Sequence, residues 1–154
     1  MANDDPALLA EVLPGTWHVS ASNLPVWVSA DAAGLSVEIE VVKHDPLMLR
    51  HLIVVESRDG RVKRIGGVDR WVGTRFRTRS RALTPFRWGH WHITGISPDR
   101  DHIVVRMAKL RALPDSILIC RRDGVEVDDL RATVSARTEP LGLSPEDFAS
   151  LTWN

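Results

Sequence analysis

Between Thr16 and Arg122 turn signals recur so regularly that only short extended runs fit between them, and this spacing limits the fold more than any single motif. Leu35 to His44 shows the underlying period: Leu35, Val37, Ile39 and Val41 share one face while Ser36, Glu38 and Glu40 share the other, the two-residue alternation of a strand buried on one side. Thr16 to Ser22 precedes it, and Asn23-Leu24-Pro25-Val26-Trp27 breaks the pattern as a long connection. Asp45-Pro46 turns the chain into Leu47 to Ser57, and Arg58-Asp59-Gly60 forms a hairpin connection to Arg61 to Asp69. Gly73 to Leu83, Trp88 to Ser97, Asp101 to Leu110 and Ser116 to Arg122 follow, divided by Thr84-Pro85, Pro98-Asp99 and Leu113-Pro114. Helix signals lie only at the ends. Pro6 to Val12 has Asp5 as N-cap and is stopped by Pro14-Gly15, Val127 to Arg137 reads as a helix capped by Asp128, and Ser144-Pro145-Glu146-Asp147 opens a last short helix. The expected class is all-β: an eight-stranded up-and-down antiparallel barrel with short N-terminal and C-terminal helices, since short sequential connections make a meander and not a Greek key. One domain covers residues 1–154, with the barrel at about 15–122 and a helical C-terminal segment at about 126–152.

Composition narrows the partners. Twenty basic residues balance twenty acidic ones, so the overall field favours neither nucleic acid nor an anionic membrane as the main partner. The basic set is uneven, because 17 of the 20 are arginine and many fall between Arg58 and Arg87. Cys120 stands alone, which excludes an internal disulfide and suits a reducing compartment. The start, Met1-Ala2-Asn3-Asp4-Asp5-Pro6, has neither a basic nor a long apolar region, and no later run approaches the length of a membrane span. These features read as a cytoplasmic protein with no cofactor; oligomeric state is left open. The absence of tyrosine excludes phenol-based acid chemistry.

Two distant motifs act together. Gly15-Thr16-Trp17 opens the first strand, and Ser116-Ile117-Leu118-Ile119-Cys120-Arg121-Arg122 ends the last in arginine. Between them, in order, come Leu24-Pro25-x-Trp27, Gly67-Val68-Asp69, Phe76 with Arg79-x-Arg81, Trp91-x-Ile93, Lys109 with Pro114, and Ile117-x-Ile119. This ordered set resembles the lipocalins of the calycin superfamily, and within them a group of small bacterial and fungal lipocalin-like proteins. The chain departs from that group at Ser80, Ala82 and Thr84, where a glycine-rich stretch is expected, and at Lys109-Leu110, where a Lys-Thr pair is expected. The resemblance implies a barrel sealed at one end by the Arg122 guanidinium against the Trp17 indole, and a pocket for a small hydrophobic molecule. A few related barrels are isomerases or cyclases, so catalysis stays open.

The candidate pocket is lined by the inward faces of the strands: Val37, Ile39, Leu49, His51, Ile53, Phe76, Trp91, Val105, Met107 and Lys109. His51 shares its face with Leu49, Ile53 and Val55; it is either a core histidine satisfied by a backbone carbonyl or a group that orients a ligand or acts as general acid or base. Lys109 follows Ile103, Val105 and Met107 on one face and is either an interior cation for an anionic ligand group or a snorkelling strand-end residue. Arg75, Arg77, Arg79 and Arg81 alternate on one face, which is either a solvated outer surface with Phe76 and Thr78 inward or a grip for a carboxylate or phosphate at the barrel mouth. His90 and His92 have the spacing of a metal-binding pair, yet no third ligand is evident, so no metal is assigned; the other reading turns Trp91 and Ile93 inward and both histidines out. Cys120 lies in an apolar run and reads as a buried, inert thiol. Gly66-Gly67 lacks the strand-to-helix context of a phosphate loop and suits a bend in a strand. The leading reading is binding of a small hydrophobic molecule, with an anionic group where an inward cation meets it. The alternatives are an isomerase or cyclase using His51 as acid or base, and an interaction protein whose arginine face holds an acidic partner.

Overall fold

The computed structural model describes residues 2–24, 32–79, 89–108 and 115–154. Pro25, Trp27, Arg81, Lys109 and Pro114 therefore lie outside the described residues. A 3-10 turn at Ala2–Asp4 leads to α1 (Pro6–Val12), whose N-cap Asp5 accepts from the Ala7 amide at 2.9 Å with proline at the first helical position. Eight strands follow: β1 (Gly15–Ser22), β2 (Ala32–His44), β3 (Leu47–Ser57), β4 (Val62–Trp71), β5 (Phe76–Arg79), β6 (His90–Ile96), β7 (His102–Met107) and β8 (Ser116–Arg122). Each pairs antiparallel with the next, and β1 pairs with both β2 and β8, so the sheet closes into the expected meander barrel.

One end of the barrel is sealed by side chains whose polar atoms are all used. Leu9, Val12 and Leu13 of the α1 segment are buried beneath the strands. Trp17 donates its indole N–H to the Leu13 carbonyl at 2.9 Å, and the Arg122 guanidinium lies 4.2 Å from the Trp17 ring centroid. The same guanidinium donates to the carbonyls of Val12 and Pro14 at 2.7 and 3.2 Å, which ties the α1 segment to the last strand.

The C-terminal segment differs from expectation in two respects. α2 spans Leu130–Ser135 and is capped by Asp129, not Asp128, because it is the Asp129 carboxylate that receives the Ala132 amide. After α3 (Pro145–Ala149), with a full capping box between Ser144 and Asp147, the chain adds a strand, β9 (Thr152–Trp153). Among the described residues β1 pairs with β2 through Gly15 to His18, and β9 pairs with Ala21 and Ser22 of β1. A second apolar cluster forms outside the barrel, where Val134, Leu141, Leu143 and Leu151 cover Ala21, Val104, Ile117 and Ile119. The seat is tight: a Cβ on Gly95 of β6 would drive into the Leu141 carbonyl, so glycine is required by close backbone approach.

Candidate functional site

Strand register gathers seven residues inside the barrel. His51 of β3 stands opposite Gly67 of β4, Leu49 opposite Asp69, Asp69 opposite Thr78 of β5, and Phe76 opposite Trp91 of β6. His51 and Asp69 are buried to 2% and 0% exposure, and Thr78 and Trp91 are buried beside them. Asp69 is an acceptor on every side. Thr78 donates its hydroxyl to Oδ1 at 2.5 Å, Trp91 donates its indole N–H to the same oxygen at 3.0 Å, and the Nδ1–H of His51 donates to Oδ2 at 2.6 Å. A buried carboxylate without partners would cost several kcal/mol, roughly, and these donors remove that cost. With its Nδ1 proton committed to Asp69, the imidazole is fixed in one tautomer. Its position also explains Gly67: a Cβ there would stand 2.7 Å from His51 Cε1 and 2.9 Å from Nε2. Period-two reading turns His51 inward, but Asp69 was missed. Its signal is the shared face of Ile65, Gly67 and Asp69, which places a carboxylate among inward residues.

The other candidates divide along the barrel axis. β3 and β7 both run away from the sealed end, so Leu49 and Ile103 lie near the seal while Val55 and Met107 lie toward the other end. Leu49, Ile53, Phe76 and Trp91 are at 0–1% exposure and pack the interior, with the Phe76 and Trp91 rings stacked at 4.4 Å and Trp91 paired with Met107 of β7. Val55 and Met107 keep 8% and 7% exposure. Val37, Ile39 and Val105 also face inward and are buried, and Lys109 is outside the described residues.

Arg75, Arg77 and Arg79 are exposed while Phe76 and Thr78 point inward. His90 and His92 flank the buried Trp91 on the outside, and among the described residues no three histidine, cysteine, aspartate or glutamate side chains could hold a metal ion. Burial, then Arg75 and Arg77, lowers the pKa of His90; burial and Arg106 lower that of His92. Cys120 is fully enclosed, and burial pushes its thiol up to about 12. Among the described residues three recesses open. One of about 800 Å3 is lined by Glu38, Glu40, Arg50, Leu52, Gly66 and Val68 among others and reaches Ile39, His51 and Gly67. One of about 660 Å3 is lined by Asp4, Arg75, His90, His92, Arg106 and Asp147 among others, and one of about 690 Å3 lies beside His18, Leu35 and Arg121.

No protein-family model matches the sequence, and no curated protein matches it. Solved structures do match the fold. The cockroach major allergen Per a 4 is 12% identical, with a TM-score of 0.62 over 89% of this chain and 83% of that one. Lobster apocrustacyanin A1 is 10% identical, with a TM-score of 0.60 over 97% and 84%. Japanin from Rhipicephalus appendiculatus, solved bound to cholesterol, is 9% identical, with a TM-score of 0.52 over 90% and 88%. The chain has a lipocalin-like barrel fold.

Proposed function

We propose that this lipocalin-fold barrel binds a small hydrophobic molecule between its strands, in the half away from the Trp17 and Arg122 seal. The observation that carries the reading is an inward wall that is apolar on strand after strand and interrupted at one level by the His51–Asp69–Thr78–Trp91 cluster. Such a wall supplies affinity by apolar burial, about 25 cal/mol per Å2, while a fixed polar group sets orientation. Val55 and Met107 form the side of the pocket and the cluster its floor, with Ile39 beside His51 and with Val37, Ile53 and Val105 between floor and side. Leu49 and Phe76 act as packing below. Lys109 is the cation for a ligand's anionic group. Japanin, solved bound to cholesterol, is one barrel of this fold with an apolar ligand. No described helix is long and apolar enough to cross a membrane, and the lone enclosed thiol of Cys120 fits the cytoplasm.

The enzyme reading has one observation in its favour, the carboxylate that fixes the His51 tautomer as a general acid or base requires. The near-complete enclosure of both groups favours binding over turnover. Titration of the purified protein with a long-chain alcohol and the matching carboxylic acid, followed by tryptophan fluorescence and native mass spectrometry, separates the readings. Saturable quenching with the compound recovered unchanged is expected, the acid binding more tightly and losing that advantage in Lys109→Met. Absence of saturable binding by either compound overturns the binding proposal; chemical conversion that stops in His51→Ala establishes the enzyme.

A further inference from the structure

The outer face of β4 and β5 carries a charge arrangement that works against the fold. Arg70 of β4 stands directly opposite Arg77 of β5, and Arg77 directly opposite His90 of β6. Like charges in directly opposed cross-strand positions destabilise an antiparallel pair. Elsewhere five arginines meet a carboxylate, Arg50 with Glu40, Arg61 with Asp59, Arg100 with Glu11, Arg106 with Asp147 and Arg137 with Asp99, while Arg121 and Arg122 donate to backbone carbonyls. Arg70, Arg75, Arg77 and Arg79 are exposed, and among the described residues none has a carboxylate within ion-pair distance.

The patch has a shape. Arg77 and Arg79 are two residues apart on one strand, so their side chains repeat at about 6.7 Å, the repeat of alternate side chains in any extended chain. Arg70 adds a third guanidinium one strand over, about 5 Å away. Carboxylates bound the strip on both sides. Glu38 and Glu40 stand beyond it in the recess that Arg79 also lines, and Asp4, Asp115 and Asp147 stand beyond His90 and His92 in another recess. A broad anionic plane, such as a membrane, would press those carboxylates against its own charge. A single extended strand of acidic residues would meet only the guanidiniums.

We propose that the outer face of β4 and β5 docks an extended acidic segment of a partner protein, with its carboxylates on Arg70, Arg77 and Arg79. The unpaired arginines are then kept at a cost in stability that the bound segment offsets through charge-assisted, bidentate contacts. This site lies outside the barrel, so it stands or falls independently of the ligand pocket.

Fluorescence anisotropy of a labelled decaglutamate peptide with the full chain tests it, at low and at physiological ionic strength. Saturable binding that weakens with salt is expected, falling about tenfold in Arg77→Thr and again in Arg79→Thr. Arg77→Thr should leave the melting temperature unchanged or raise it, and should raise the titration midpoint of His90 measured by NMR. A fall in both stability and affinity would make Arg77 a structural residue and overturn the proposal. So would absence of peptide binding, or tighter binding to phosphatidylglycerol vesicles or to a single-stranded oligonucleotide than to the peptide.

Discussion

Asp69 has the most partners to lose. Replacing it with alanine strands the Trp91 indole, the Thr78 hydroxyl and the His51 Nδ1–H inside an apolar barrel, so Asp69→Ala should destabilise the protein by about 3–5 kcal/mol in urea unfolding. Thr78→Val removes one donor and leaves the carboxylate two others, so its cost should be nearer about 1 kcal/mol. Cys120 makes the opposite prediction. With its thiol pushed up to about 12, it should resist a thiol reagent in the native protein and react fully on denaturation. His51 was legible as an inward residue, because alternation along a strand is a local steric property. Its partner was not, because Asp69 is 18 residues away and only the β3–β4 register brings the two within 2.6 Å.

At the scale of elements, boundaries were legible where a local chemical signal sets them. α1 begins at Pro6 behind Asp5, as the N-cap signal requires, and β3 and β8 end where turn residues begin. Two adjacent aspartates at 128 and 129 offer the same capping chemistry, and contact with the outer apolar cluster through Leu130 decides between them. β9 left no periodic signal, since two residues become a strand only by pairing with β1. The C-terminal segment is held by close backbone approach at Gly95, so Gly95→Ala should cost about 1–3 kcal/mol and raise hydrogen exchange in β9 and α2 ahead of the barrel strands. Arg122→Ala should cost about 2–3 kcal/mol, through the lost cation–π contact and two charge-assisted bonds to the α1 segment, read as a lower urea midpoint.

The whole molecule should lose stability to acid in two stages. Burial, the main cause, holds the pKa of His102 and His92 below the usual 6.5. The unfolded chain therefore takes up these protons first, so stability present above pH 6.5 is lost as pH falls below it. Asp99 is lowered from 3.8 to about 2, chiefly by the Ser97 hydroxyl with help from Arg137, and Asp147 is lowered chiefly by Arg106. The Asp99 contribution is present above 3.8 and lost as pH falls from there toward about 2, and that of Asp147 is lost in the same direction. A melting-temperature profile should show both declines, the first flattened in His102→Gln. What the sequence alone determined is the eight strands of the barrel, their meander order and which side of each faces in, because turn chemistry and two-residue alternation act within a few residues. Only the tertiary structure decided that Asp69 holds His51, that Arg70 faces Arg77, and that the chain's end becomes a ninth strand. Each depends on which strand lies beside which and in what register, and closure of the barrel sets that.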